Sequence, residues 1–220
     1  MPIHENQPRL EAGAALKTAD AAMILLHGRG ATADDAIRLG ELLSGRATNV
    51  ALIAPQAAGN AWYPQRFIAP LSSNEPHLSS ALNVVARIID DCVANGFIRE
   101  KLILAGFSQG ACLALEFVAR NPRRYGAVIA LSGGLIGPPG MPRTITAALE
   151  QTPIFIGCGD ADSHIPLGSV QESAAVLRKT NAAVTERIYP GMPHTVNADE
   201  VSFASELIAR VAGGFDKTRT

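Results

Sequence analysis

A chain of 220 residues that is 47% hydrophobic and 18% charged is of the globular class and can bury a core of its own. Its 19 Lys and Arg against 20 Asp and Glu leave a net charge of −1 with no basic run, which excludes the electrostatic footprint of a nucleic-acid binder. The longest uncharged stretches are cut by Gly, Pro, Asn or Ser, and the first twenty residues mix charges and prolines, so neither a membrane span nor a signal peptide is expected.

In chain order, the first expected strand is 22–26 (AMILL), brief and apolar as in a sheet covered on both faces. The glycine-rich segment LLHGRGAT follows it, and a second strand lies at 50–54. The connection 56–80 is long for a compact domain and carries the one tryptophan, in NAWYPQRF; such loops serve function or move. Its Trp62, Tyr63, Phe67 and Ile68 either line an acyl or aromatic pocket or pack the loop down. Leu82, Val85, Ile89 and Cys92 then recur at helical spacing. A strand at 102–105 meets the segment 111–120, apolar almost all round and so suited to a central helix. Strands at 127–131, 154–157 and 184–188 follow. Helical stripes lie at Val170, Ala174 and Leu177, and at Val201, Ala204, Leu207, Ile208 and Val211. Strands alternating with helices imply an α/β fold, with a mostly parallel central sheet, right-handed crossovers and helices on both faces. No repeat, low-complexity tract or linker divides the chain, so residues 1–220 read as a single α/β domain without a large cap. Cys92, Cys112 and Cys158 sit in apolar sequence without a CxxC pair, and are expected to be buried free thiols in a reducing cytoplasm.

In LILAGFSQGACLAL two glycines, Gly106 and Gly110, flank Ser108 where strand gives way to helix, although a glycine in either element costs about 0.5–1 kcal/mol. A serine held on a sharp strand-to-helix turn needs small residues two before and two after it, because the turn brings the two backbones together. Ser108 then points outward beyond the carboxyl end of its strand, where open α/β sheets bind ligands. The helix N-terminus behind it favours an oxyanion. Serine needs a base, and the base needs an orienting acid. With a turn of this kind the chain order is serine, acid, histidine. Asp160 and Asp162 both follow the strand at 154–157, and both remain open as the acid. His164 is too near Asp162 to stand between it and a distant serine. His194, at the end of a strand on the same rim, is the expected base. His27 precedes Ser108 and is out of order; its loop instead suits backbone N–H groups aimed at an anion, the second half of an oxyanion hole. A dinucleotide reading of Gly28-x-Gly30 fails at Ala33. His4 and His77 lie in polar sequence and are expected to be solvated. No pair of histidines has HxxxH spacing, and neither a metal nor another cofactor is expected.

Taken together, LLHGRG, GFSQG, GDADSHIPL and GMPH, in this order over nearly the whole chain, resemble the phospholipase/carboxylesterase family of the α/β-hydrolase superfamily, which includes the acyl-protein thioesterases. The resemblance implies an α/β-hydrolase fold and the catalytic residues Ser108, Asp162 and His194, leaving Asp160 to shape its loop. It carries the oxyanion donors over to the backbone N–H groups of Arg29 and Gln109, and it puts Trp62 beside the acyl pocket. The implied reaction is hydrolysis of small or medium-chain carboxylic esters by a serine carboxylesterase. Thioesterase or lysophospholipase-type activity, or a non-catalytic binding scaffold, are the alternatives. The expected partner is a small-molecule ester, and a homodimer stays open. The chain departs from the thioesterases at Arg29 and Ala31 (leucine and an acid there), at Tyr63 and Pro64 (phenylalanine and aspartate), and at Ala111 (glycine). The loops HGRGATADD and WYPQRF are more like those of bacterial carboxylesterase-type relatives, which speaks against a lipidated-protein substrate. The Arg29 side chain either meets a negatively charged substrate or, as is expected, is exposed and solvated.

Overall fold

The computed structural model describes residues 2–45, 47, 49–145 and 147–213. Its strands are β1 (Arg9–Gly13), β2 (Ala21–Leu26), β3 (Val50–Pro55), β4 (Leu102–Phe107), β5 (Ala127–Leu131), β6 (Pro153–Gly159) and β7 (Ala183–Tyr189). The helices are α1 (Ala33–Ser44), α2 (His77–Ala94), α3 (Gln109–Arg120), α4 (Leu167–Arg178) and α5 (Ala198–Gly213). One seven-stranded sheet runs β1-β3-β2-β4-β5-β6-β7, parallel throughout except for β1, which lies antiparallel to β3 with Arg9 opposite Pro55.

The two-residue period of a strand divides the core in two. Along β2, Ala22, Ile24 and Leu26 join the layer shared with α2, α3 and α4, while Met23 and Leu25 join α1 and α5 on the other face. Both sets are fully buried, and each such aliphatic side chain contributes about 1.5–3 kcal/mol relative to exposure. That is why these strands read as continuous apolar runs rather than alternating ones. The expected central helix is α3, buried at every position from Gln109 to Ala119.

Two elements lie outside the sequence expectations. β1 (RLEAG) is an edge strand with mostly exposed side chains, so it has no apolar run to betray it. α1 starts on a capping box in which the Thr32 hydroxyl accepts from the Asp35 amide and the Asp35 carboxylate accepts from the Thr32 amide. Its inner face is built from Ala33, Ala36, Ile37, Gly40 and Leu43, too small-sided for a clear stripe. A methyl on Gly40 would stand 2.3 Å from Leu25 Cδ1, so the small residue there sets the approach of α1 to the sheet. The long connection after β3 holds two short 3₁₀ turns, Ala58–Asn60 and Leu71–Asn74, and ends at His77, where α2 begins. Among the described residues no helix is long and apolar enough to cross a membrane. The three cysteines are buried and unpaired.

Candidate active site

β4 ends at Phe107 and α3 begins at Gln109, leaving Ser108 alone on the turn with φ 56° and ψ −119°. For a serine this sparsely populated backbone costs on the order of 1–3 kcal/mol, which the packed strand and helix on either side must impose. The flanking glycines show what the turn demands. A Cβ on Gly106 would lie 2.5 Å from the Gly110 carbonyl carbon, and one on Gly110 would lie 1.9 Å from the Leu26 carbonyl oxygen. Neither can be larger. The Ser108 amide donates to the Leu131 carbonyl at 2.9 Å, tying the turn to the end of β5.

His194 arrives from the segment between β7 and α5. Its Nε2 stands 2.9 Å from Ser108 Oγ, and its Nδ1 stands 2.6 Å from Asp162 Oδ2. An Nδ1–H that donates to the carboxylate leaves Nε2 as the acceptor facing the serine. The other oxygen of Asp162 accepts from the amides of His164 and Ile165 at 2.8 and 3.0 Å. Burial pushes the Asp162 carboxyl up, but the bonds from His194 and the two amides outweigh it and hold the group below its ordinary range. Asp160 does not touch the imidazole. Its Oδ1 accepts from the Gly191 amide at 2.6 Å, so it pins the loop that carries His194. The Phe107 and His164 rings each lie 4.7 Å from the His194 ring.

The loop after β2 closes against the serine from the opposite side. A Cβ on Gly28 would sit 3.6 Å from Ser108 Cβ. Among the described residues the backbone N–H groups of Arg29 and Gln109 have no acceptor, and both residues line the cavity in front of Ser108. Backbone amides left without an acceptor beside a cavity can donate to an anion bound there. The side chains of the same two residues hold the segment 62–65. Gln109 Oε1 accepts from the Trp62 amide and Nε2 donates to the Tyr63 carbonyl, both at 2.8 Å. The Arg29 guanidinium donates to the carbonyls of Tyr63, Pro64 and Gln65 at 2.9, 3.0 and 2.6 Å. It therefore clamps the loop while remaining exposed, as the sequence suggested. Single-sequence spacing cannot reveal a side chain whose partners are carbonyl oxygens.

The sequence model of the family described as Phospholipase/Carboxylesterase matches residues 9–212, from β1 to the last turn of α5. The chain belongs to the phospholipase/carboxylesterase family. Among solved structures it is similar to a phospholipase/carboxylesterase from Dyadobacter fermentans DSM 18053, at 42% identity and a TM-score of 0.86, covering 93% of this chain and 97% of that one. Among curated proteins it is similar to Acyl-protein thioesterase 1 of Saccharomyces cerevisiae, at 29% identity over 134 residues, 60% of this chain and 59% of that protein. It is also similar to a probable carboxylesterase of Oryza sativa subsp. japonica, at 29% identity over 136 residues, 60% of this chain and 51% of that protein. The chain thus spans between half and three fifths of the length of these two curated relatives.

In this family member the serine opens on a cavity of about 480 Å³, walled by Arg29, Tyr63, Arg66, Phe67, Cys112 and His164 among others. Tyr63 and Phe67 are on the wall, as a pocket role would require. Trp62 and Ile68 are not. Trp62 is fully buried behind the wall, its indole N–H donating to the His27 carbonyl at 2.9 Å and its ring 4.9 Å from the His27 ring. Ile68 is half-buried against the core. These two pack the loop down, because an indole with its donor satisfied inside the core has no face left for a ligand. His4 also departs from expectation. It is buried at 1% exposure, with Nε2 bonded to the Trp62 carbonyl and Nδ1 accepting from the Ala58 amide, both at 3.0 Å. His77 is half-buried, its ring 6.1 Å from that of His4, rather than solvated. Polar neighbours in sequence misled at His4 because its ring serves the long connection, whose backbone needs internal partners. Among the described residues no group of His, Cys, Asp or Glu is arranged to hold a metal ion.

Proposed function

We propose that the protein is a serine carboxylesterase that hydrolyses small or medium-chain carboxylic esters through an acyl-enzyme on Ser108. The observation that carries this reading is the unbroken hydrogen-bonded series from Ser108 Oγ through His194 to Asp162, at 2.9 and 2.6 Å, at the mouth of the cavity. Ser108 Oγ attacks the ester carbonyl carbon as its proton passes to His194 Nε2. The carbonyl electron pair moves onto oxygen, where the amides of Arg29 and Gln109 receive it. Collapse breaks the bond to the leaving alcohol, which takes the proton from His194. Water then attacks the acyl-enzyme by the same proton transfers, releasing the acid and restoring Ser108. Asp162, held ionised, fixes the imidazole tautomer and steadies the imidazolium. Each oxyanion donor is worth roughly a hundredfold to a thousandfold in turnover.

Ser108→Ala is the test. The variant should retain the fold and lose hydrolysis of p-nitrophenyl acetate by on the order of 10⁴-fold or more. A purified variant that keeps the parent rate refutes the assignment. A fluorophosphonate probe separates this reading from a non-catalytic scaffold, since it should label the parent at Ser108 and leave a binding module unlabelled. A second reading, thioesterase, is favoured by the likeness to Acyl-protein thioesterase 1. The same residues serve both, and kcat/KM for a matched thioester and oxygen ester separates them. A cytoplasmic setting fits the thiols. Burial raises Cys92 to about 11 and Cys112 and Cys158 to about 12, so none is poised to oxidise.

A further inference from the structure

The ionisable side chains on the cavity wall include Arg29, Arg66, His164 and His194 but no aspartate or glutamate, although the whole chain has 20 acids against 19 lysines and arginines. Asp162, the carboxylate tied into the site, has a fully buried side chain and is occupied by His194 and two amides. Among the described residues neither Arg29 nor Arg66 has a carboxylate partner. The three carbonyls that hold Arg29 fix its guanidinium without cancelling its charge, and the group lies 6.0 Å from the centre of the Tyr63 ring. A cation fixed in this way loses little freedom when an anion arrives. Arg66 makes one long bond, 3.4 Å, to the His164 carbonyl, which leaves most of its donor fork free. A cleft of one sign with low-dielectric walls concentrates its field on whatever enters.

The chemistry says which half of the substrate meets these charges. His194 returns its proton to the leaving alcohol, so the alcohol half lies on the His194 side. His164 stacks there, 4.7 Å from His194, and Arg66 is bonded to the His164 backbone. We infer that the preferred esters carry an anionic group, a carboxylate or a phosphate, on the alcohol half, recognised by Arg66, with Arg29 adding to the positive field of the cleft. This inference rests on the esterase reading.

The test compares the acetyl ester of 4-hydroxyphenylacetate with that of its methyl ester. The methylene keeps the two phenols alike as leaving groups, so they differ in distal charge. A third substrate, 4-acetoxybenzylphosphonate, distinguishes phosphate from carboxylate as the favoured anion. The charged esters should exceed the methyl ester in kcat/KM by about fivefold or more at low salt, mainly through KM, with the advantage shrinking at high salt. Arg66→Gln should remove most of that ratio. Equal kcat/KM for charged and neutral esters in the parent, or a preference that Arg66→Gln leaves intact, overturns the inference. In that event, continued turnover of the methyl ester through a probe-labelled Ser108 leaves the esterase reading standing. Failure to turn over any of the three, with Ser108 unlabelled, removes both.

Discussion

Gln109→Leu tests whether the segment 62–65 depends on one side chain beside the Ser108 turn. Leucine matches glutamine roughly in size but offers no hydrogen bond. Gln109 is only 5% exposed, and the Trp62 amide and Tyr63 carbonyl that it serves belong to residues 0% and 1% exposed. The Trp62 amide would be orphaned inside the protein, at about 1–3 kcal/mol. The Tyr63 carbonyl would keep the Arg29 guanidinium at 2.9 Å and lose only a net bond, about 0.5–1.5 kcal/mol. The expected loss is therefore about 1.5–4.5 kcal/mol. Urea unfolding followed by the emission of Trp62, the chain's one tryptophan, reads it directly, because its indole is buried and bonded to the His27 carbonyl. Arg29→Met supplies the cross-check. Only when both side chains are gone does the Tyr63 carbonyl lose every side-chain donor, so the double variant should fall by more than the sum of the singles. A loss below about 0.5 kcal/mol in Gln109→Leu, or strict additivity, refutes the reasoning.

Gly110→Ala would put a methyl 1.9 and 2.4 Å from the backbone oxygen and carbon of Leu26, so the Ser108 turn and the loop after β2 must move apart. Thermal melting should show a loss beyond the 1–3 kcal/mol of ordinary overpacking, and p-nitrophenyl acetate turnover should drop about a hundredfold; full activity contradicts this. Burial raises Glu200 to about 7, so between its ordinary 4.5 and that value the folded chain holds a proton the unfolded chain has released, and stability falls as pH rises. Glu200→Gln should therefore be more stable than the parent at pH 8, by about 1–2 kcal/mol after discounting a full shift for solvent relaxation, as urea midpoints would show. His4 and His27 act with the opposite sign. Burial lowers both below 6.5, their nitrogens accept from the Ala58 and Ala57 amides, and below that pH the unfolded chain takes up protons they refuse. With the opposing carboxyl removed, the Glu200→Gln midpoint should fall as pH drops from 7.5 to 5.5, and a midpoint that stays flat over that range would count against neutral buried histidines.

Period and spacing carried the reading of the sheet because β2 to β6 are buried on both faces and must be apolar along their length. β1 escaped because a strand at the edge needs only its backbone to pair, and RLEAG offers little else. α1 escaped because Ala36 and Gly40 are small where the helix approaches β2. Ser108 and its two glycines were legible because the conformation of the turn restricts residue type at fixed positions. Arg29, Gln109, His4 and Trp62 were not. Arg29, Gln109 and His4 bond backbone groups of the long connection and Trp62 bonds the His27 carbonyl, and backbone atoms leave no trace in residue identity. The partner of His194 was only half legible: Asp160 and Asp162 are equivalent by spacing, and what separates them is that one reaches an imidazole while the other reaches the Gly191 amide.

The strand order poses a problem of reach that those small residues and short bonds solve. Ser108 leaves β4, while His194 follows β7, three strand spacings away, or about 14 Å across the sheet. The loop after β7 must therefore lean back over β6 and β5. Gly159, at the end of β6, has the clearance for this, since a Cβ there would lie 1.8 Å from the Met192 carbonyl oxygen. Asp160 then draws in Gly191 at 2.6 Å. Backbone bonds from Ser108 to Leu131, from Ser132 to Gly157 and from Asp160 to Tyr189, at 2.9, 2.7 and 3.1 Å, continue the ladder past the ends of the strands. Each loop is thus registered on the next strand before any side chain is placed. A shift of one loop along this rim would carry its side chain out of hydrogen-bond range, so the 2.6 and 2.9 Å contacts of His194 rest on backbone fit at Gly106, Gly110 and Gly159 as much as on the three side chains themselves.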